Sequence, residues 1–164
     1  MSKKYELVVD DTIAFWGWKL FRIRALISFG SVDAGDLGGY IYTEDNLSQK
    51  GDAWVSGNAK VWGNAWVWGN AKVSDDALVS GNAKVSGNAE VSGDAKVSDF
   101  EDVIVFKNHW SSGRHFTYTK SNKMWRVGCF YGTGQELIDK AYRDSEKSGN
   151  FYKAYVEFIA SLEG

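Results

Sequence analysis

The chain has 164 residues, about the length of one domain, and a formal net charge of −2. This near-neutral balance argues against strong nonspecific binding to nucleic acids and against attraction to anionic membrane surfaces. A single cysteine excludes an internal disulfide, and no apolar run approaches the roughly 20 residues of a membrane-spanning helix. Since Met1 is followed by no signal-peptide core, we expect a cytoplasmic protein.

Residues 1–40 are predicted to form a cap for the repeat that follows them. The apolar patterns of residues 5–9 and 18–27 are typical of strands, and Trp16-Gly17 favours the turn of a β-hairpin. The glycine-rich segment 33–41 indicates a tight bend that leads into the repeat. It lacks the Gly-Lys-Ser/Thr ending of a phosphate loop, so we do not interpret it as one.

A six-residue phrase then repeats almost without variation. Valine recurs at every sixth position from Val55 to Val103, and alanine lies two residues before each valine up to Val97. Within a unit, alternation of Ala and Val with Lys and Ser predicts a short strand, and a pair such as Gly-Asn predicts a corner. Short strands joined by corners predict flat-sided coils, stacked by parallel hydrogen bonds around an interior of Val and Ala.

This pattern resembles the hexapeptide-repeat, left-handed β-helix family. In that family an aliphatic residue recurs every six positions and a small residue follows four later, as Ala59 follows Val55 here. The resemblance implies a triangular prism with three hexads per turn, and it alone implies the left-handed coil. The register extends back to Ile41 and Leu47, so the predicted β-helix spans residues 41–103 and has under four turns.

Residues 104–164 lose the six-residue period and are predicted to form a small α+β module. Strands are expected at residues 103–106, 115–118 and 124–130. Thr133-Gly134-Gln135-Glu136 matches a capping box, so a helix should begin there and run to about Arg143, and a second helix is expected over residues 151–162. The predicted fold class is therefore mainly β: a short left-handed parallel β-helix with an N-terminal β-hairpin cap and a C-terminal α+β module.

The chain also resembles a poorly characterised group of hexapeptide-repeat proteins encoded by phages, prophages and bacteria. The resemblance covers most of the chain. It rests on Leu20-Phe21-Arg22-Ile23-Arg24-Ala25-Leu26, Gly35-Asp36-Leu37-Gly38-Gly39, Asn46-Leu47-Ser48, the Gly-Asn-Ala-Lys-Val coils and Val127-Gly128-Cys129-Phe130. The group implies no particular activity. Its genomic context implies an accessory protein that acts in the cytoplasm of a bacterial host.

An acyltransferase is the main enzymatic alternative, because many triangular-prism proteins use a histidine base on a coil or a protruding loop. Here His109 and His115 both follow the coils, and no long loop interrupts the repeat. We therefore predict no enzymatic activity, no catalytic residue and no cofactor. No His/Cys/Asp cluster has the spacing of metal ligands, so no metal site is expected either.

Tryptophans occupy outward positions of the early hexads, at Trp54, Trp62, Trp66 and Trp68. Each ring could bury roughly 150 Å² or more, so we expect something to cover them. The cover could be the cap hairpin with Trp16 and Trp18, a neighbouring subunit, or a partner or ligand. Rows of small serines suit the close approach of a neighbouring subunit, and we expect a homotrimer.

The favoured interpretation is a non-enzymatic homotrimeric binding protein, of a phage-type accessory or counter-defence kind. It would sequester a small nucleotide-like ligand or block a host protein, with aromatic rings stacking on a base and basic side chains pairing with phosphate. The candidate binding residues are Trp62, Trp66, Trp68, Lys84, Arg22, Arg24, Arg114, His115 and Arg126.

Two other interpretations stay open at this point. An acyltransferase-like enzyme would bind acyl-coenzyme A between subunits, and a structural or assembly element would use the prism as a spacer. Membrane association is not expected. Nor is sequence-specific DNA binding, because the lysines of successive hexads point to different sides and form no dense basic stripe.

Overall fold

The computed structural model describes residues 3–163, and these begin with an antiparallel hairpin. Strand β1 (Tyr5–Phe15) pairs with β2 (Trp18–Ala25). Trp16 and Gly17 form the predicted turn, and both have positive φ angles, 49° and 84°, as a two-residue hairpin turn with a matching twist requires. Strand β2 also pairs with β3 (Leu37–Ile41), so the hairpin and the first coil share one sheet.

The repeat forms a parallel β-solenoid of about three turns, as the periodicity predicts. Each hexad contributes a two-residue strand. These strands, β4 to β11, are Trp54–Val55, Lys60–Val61, Trp66–Val67, Lys72–Val73, Leu78–Val79, Lys84–Val85, Glu90–Val91 and Lys96–Val97. Pairing joins strands that are three hexads apart, such as Val61 with Val79 and Val79 with Val97, so the coil has three faces.

The three faces have different neighbours. The hairpin face consists of β3, β5, β8 and β11 and continues into β2 and β1. The Lys72 face consists of β4, β7 and β10, and the Trp66 face consists of β6 and β9. An isolated bridge from Leu47 to Val67 extends the Trp66 face toward the start of the coil.

Valine and alanine fill the interior, as predicted. The valines from Val55 to Val97 and the alanines from Ala53 to Ala95 are all at most 2% exposed. The corners need left-handed backbone, which glycine adopts at no steric cost; Gly69, with φ of 72°, is one example. A Cβ atom there would lie 3.0 Å from the backbone nitrogen of Gly87, so successive corners stack backbone on backbone.

The solenoid strands end at Val97. A short 3-10 helix (Phe100–Asp102) follows, and Val103, which continues the period in sequence, opens the C-terminal sheet instead. This antiparallel sheet has the order β12 (Val103–Lys107), β13 (His115–Thr119), β14 (Met124–Val127) and β15 (Phe130–Thr133). The single strand expected at 124–130 is therefore wrong: Gly128, with φ of 57°, turns the chain and divides it into two.

Two helices complete the C-terminal part of the described chain. Helix α1 (Gly134–Asp144) begins at the predicted capping box, where the Thr133 hydroxyl accepts a hydrogen bond from the backbone N–H of Glu136. Helix α2 (Glu146–Glu163) starts earlier than predicted and packs with α1 around Trp125. Within residues 3–163, no helix has both the length and the apolar character needed to cross a bilayer.

Candidate functional site

The Lys72 face forms the floor of a groove with a volume of about 740 Å³. Trp54, Lys72 and Glu90 lie side by side along this floor, one from each of three stacked coils. Because neighbouring strands are ~4.8 Å apart, the column spans roughly 10 Å. Pockets for small molecules occupy about 300–1,000 Å³, so the groove has the size of a small-ligand site.

The segments before and after the repeat form the two ends of the groove. The N-terminal end consists of Gly30, Ser31, Val32, Asp36 and Leu37. The C-terminal end consists of Arg114, His115 and Gly128. Coil residues between these ends are Asp52, Ser56, Asn70 and Asn88, in addition to the floor column. All of these residues belong to one chain.

Charge is distributed unevenly along the groove. Asp36 and Asp52 lie at the N-terminal end, where the Asp52 side chain approaches Gly30. Arg114 lies at the C-terminal end, and Lys72 lies on the floor between them. Of the charged lining residues, the N-terminal end, here called the acidic end, has only carboxylates, with the Lys4 ammonium close to Asp52. The C-terminal end, here called the basic end, has Arg114 and also Glu90, which is paired with Arg126.

A glycine turn positions two arginines at the basic end. A Cβ atom on Gly128 would overlap Nη1 of Arg114, so only glycine lets the guanidinium lie against this turn. Arg126 Nε donates a hydrogen bond to the carbonyl oxygen of Gly128 at 2.9 Å. Arg126 Nε is also 3.9 Å from a carboxylate oxygen of Glu90, which balances the one acidic floor residue.

His115 faces the last coil across the groove. Its Nδ1 atom lies 3.1 Å from the side-chain nitrogen of Asn88, which donates to it. An amide nitrogen only donates, so Nδ1 is the acceptor in this contact and Nε2 is left as a donor for a ligand.

A buried ammonium group lies beneath the acidic end. Lys4 Nζ donates to the carbonyl oxygens of Ala53 at 2.7 Å and Gly51 at 3.3 Å, and it lies 4.7 Å from the centre of the Phe29 ring. Burial lowers the pKa of Lys4 from 10.5 to about 8, although the nearby Asp52 carboxylate acts to raise it.

The N-terminal segment covers two of the outward tryptophans. Trp54 is 6% exposed and packs edge-on against Tyr5 and Phe29. Trp62 is 7% exposed and packs against Phe15, 5.3 Å between ring centres. The cap hairpin is thus the cover for Trp62, whose ring has little surface left for a ligand.

The other two tryptophans lie on the Trp66 face, away from the groove. The rings of Trp66 and Trp68 stack with centres 4.0 Å apart, and Trp66 is 41% exposed. Lys84 lies beside Trp66 on the neighbouring strand. The structure therefore separates these three candidate residues from Arg114 and His115.

The two candidate arginines of the hairpin are paired within the N-terminal segment. Arg22 Nε lies 3.1 Å from Asp11, and its guanidinium lies over the Tyr40 ring. Arg24 forms an ion pair with Glu6. Both charges are balanced locally, and neither side chain is among those that line the groove.

Some groove residues have no distinguishing signal in the sequence. Lys72 and Asn88 occupy ordinary positions of the repeat, the same as those of Lys84 and Asn82. Only the placement of the flanking segments over the Lys72 face brings them into a site. Asp52 does differ from the Asn found at most equivalent corners, and that difference was a usable signal.

The described part of the chain, residues 3–163, contains no group of three or more His, Cys, Asp or Glu side chains that could hold a metal ion. The thiol of Cys129 is free and exposed, in the turn between β14 and β15. No known family model matches the chain, and no curated protein matches it.

Proposed function

We propose that the protein is a non-enzymatic binding protein that holds a small nucleotide-like ligand in the groove of the Lys72 face. The observation that carries the proposal is a groove of about 740 Å³ with Arg114 and His115 at one end and Lys72 in the middle of its floor. Ammonium and guanidinium groups form charge-assisted hydrogen bonds with phosphate oxygens. Nε2 of His115 adds a further donor at that end of the groove.

The apolar surface for a base comes from the opposite part of the groove. Leu37 is 55% exposed, although it is a large aliphatic residue, and Val32 and the edge of Trp54 lie near it. Small-molecule pockets are lined mainly by hydrophobic side chains with a few polar groups that fix the orientation of the ligand. In this proposal the base contacts these residues rather than Trp66 and Trp68.

Calorimetric titration with linear and cyclic mononucleotides tests the proposal. We expect one ligand per chain, and we expect Arg114→Ala and Lys72→Ala each to weaken binding about tenfold, since each removes one charged phosphate contact. Lys96→Ala is the matched control, because Lys96 has the same Ala-Lys-Val-Ser context but lies on the hairpin face. Absence of heat with every nucleotide would contradict the proposal.

The proposed assembly is a homotrimer in which the Trp66–Trp68 pair lies between copies. Trp54 and Trp62 are covered by the chain's own N-terminal segment, whereas Trp66 keeps a large exposed area. Light scattering should give three times the chain mass of 18.3 kDa. Trp66→Ser with Trp68→Ser should release single chains, and a single-chain mass for the wild type would refute the trimer.

A phage-type accessory role, the sequestration of a nucleotide signal, is the biological part of the proposal. It is supported by the sequence resemblance to phage-encoded repeat proteins. Blockade of a host protein by the Trp66–Trp68 pair is the alternative, and a pull-down from bacterial lysate separates the two. A protein that recovers no partner but binds nucleotide would act by sequestration.

Acyl transfer is the second candidate, because His115 reaches the groove face. Its Nδ1 contact with Asn88 favours a donor role rather than a base. A thermal shift with coenzyme A, abolished by His115→Ala, would favour the enzyme. The binding proposal expects no such shift.

A further inference from the structure

We propose, on the basis of the proposed nucleotide site, that the groove selects guanine nucleotides and holds them in one direction. The Asp52 carboxylate would accept hydrogen bonds from the guanine edge, and Lys72 and Arg114 would hold the phosphate. The proposal concerns which nucleotide binds and how it is oriented, whereas the proposed function requires only that some nucleotide binds.

The charge distribution determines the direction. A phosphate placed at the N-terminal end would meet the carboxylates of Asp36 and Asp52. Toward the other end it meets Lys72 and Arg114, and the Glu90 carboxylate there is paired with Arg126 at 3.9 Å. Like charges repel and opposite charges attract most strongly inside a groove where water is partly excluded. The base therefore lies toward Asp52. Lys72 lies one strand spacing, about 5 Å, along the floor from Trp54, and Arg114 lies beyond it at the C-terminal end of the groove.

The chemistry of a carboxylate determines the base. An ionised carboxylate only accepts hydrogen bonds, and its two oxygens match two parallel donors. Guanine presents two adjacent donors on one edge, N1–H and the 2-amino group. Adenine and cytosine place a ring-nitrogen acceptor beside their amino group, and uracil places carbonyl oxygens on both sides of its N–H, so each would oppose a carboxylate.

Asp52 is better placed for this contact than Asp36. The Oδ2 atom of Asp36 already accepts a hydrogen bond from the backbone N–H of Asp33 at 2.9 Å. Asp52 is held at the corner of the first coil, because its backbone N–H donates to the carbonyl oxygen of Gly69 at 3.1 Å. Its side chain lies against the wall at Gly30, beside the apolar surface of Leu37.

The repeat supplies a conservative test variant. Most corners read Gly-Asn-Ala, and the first reads Gly51-Asp52-Ala53, so Asp52→Asn restores the common motif and should fold normally. The variant replaces one acceptor oxygen by a donor of the same shape. Asp76→Asn is the matched control, because Asp76 occupies the equivalent corner position and is not among the residues that line the groove.

The experiment is calorimetric titration of the full chain with GMP, IMP and AMP, for the wild type and both variants. IMP keeps N1–H and lacks the 2-amino group, so we expect it to bind about tenfold more weakly than GMP, and AMP more weakly still. Asp52→Asn should remove the preference for GMP over IMP, and Asp76→Asn should keep it. Arg114→Ala should lower the affinity for all three nucleotides by the same factor.

The outcomes separate this inference from the proposed function. Equal affinity of the wild type for GMP, IMP and AMP, or an unchanged preference in Asp52→Asn, would overturn guanine selection and leave nucleotide binding intact. Binding of none of the three, nor of any other nucleotide, would overturn the proposed function itself. Tighter binding of AMP than of GMP would show that the base edge does not face Asp52.

Discussion

The first and last coils of the solenoid each lack a neighbouring coil on one side, so some of their backbone N–H and C=O groups need other hydrogen-bond partners. Parallel strand pairs exchange hydrogen bonds in both directions, but the bonds that flank each pair run from a coil to the following one: Trp54 N donates to Ala71 O at 3.1 Å, and Lys72 N to Ala89 O at 2.9 Å. The first coil therefore has carbonyl oxygens that need donors, and the last coil has N–H groups that need acceptors. The same chain must satisfy both ends with different side chains.

Buried side chains supply the donors at the first coil. Lys4 Nζ donates to the carbonyl oxygens of Gly51 and Ala53, and Asn46 Nδ2 donates to that of Ala65 at 2.8 Å. Both donor side chains are almost completely buried. Water therefore cannot easily replace either donor if the side chain is shortened.

Acceptors at the last coil come from the segment after the repeat and are more exposed. Glu90 N donates to Thr117 Oγ1 at 3.0 Å, and Lys96 N donates to Ser121 Oγ at 2.8 Å. Thr117 is buried, whereas Ser121 is exposed. The difference indicates that stability depends more on the cover of the first coil, where one cation serves two carbonyl groups.

The largest expected effect is that of Lys4→Met. The variant keeps the length of the side chain and leaves two buried carbonyl groups without their donor, and relief of a buried charge offsets part of this loss. We expect the free energy of unfolding to fall by about 2 kcal/mol at pH 7. Lys3→Met, which removes an exposed ion pair with Glu44, is the control and should change it by less than about 0.5 kcal/mol.

The effect of Lys4→Met should also grow with pH. The folded protein holds the proton on Lys4 less tightly, with a pKa of about 8 against 10.5 in the unfolded chain. Between these values the unfolded state binds more protons, so the wild type gains stability relative to the variant as pH rises, by up to about 1.4 kcal/mol per pH unit. Urea denaturation at pH 7, 8, 9 and 10 measures this difference. A constant difference would show that the Lys4 ammonium is not destabilised by burial.

Thr117→Val should have the next largest effect. Valine has nearly the shape of threonine and cannot accept the hydrogen bond from Glu90 N. We therefore expect the free energy of unfolding to fall by about 1.5 kcal/mol. Thr117→Ser retains the acceptor and loses only a methyl group, and it should be less damaging. If both variants are equally stable, the hydroxyl of Thr117 contributes little to the free energy of unfolding.

The interior of the solenoid and the segments that flank it could be predicted from the sequence, but the side chains that pair with its end coils could not. A six-residue period of Val with Ala determines which residues point inward, whatever lies outside. By contrast, Lys3 and Lys4 are adjacent and chemically identical, yet one is exposed and the other is buried under the first coil. That distinction depends on the position of the hairpin over the coil, which no local pattern encodes.

The same limit applies to the candidate site. Arg114 and His115 lie in a polar segment outside the repeat, which is the signal that predicts them as binding residues, and both line the groove. Trp66 and Lys84 were grouped with them, although the three-faced coil places them on a different face from Lys72. Residue type indicates which side chains could bind a ligand. Which of these side chains lie in one groove depends on the face of the solenoid that the flanking segments enclose.

Ser121→Ala should have the smallest effect and gives the sharpest comparison between the two ends. The Ser121 hydroxyl accepts a hydrogen bond from Lys96 N at an exposed site, where water can take its place. We therefore expect the free energy of unfolding to fall by about 0.5 kcal/mol or less. Hydrogen exchange should nevertheless become faster at the Lys96 amide and stay unchanged at the Glu90 amide, which Thr117 protects. A loss as large as that of Thr117→Val would mean that water does not reach this edge, and the two ends would then be equally dependent on side-chain partners.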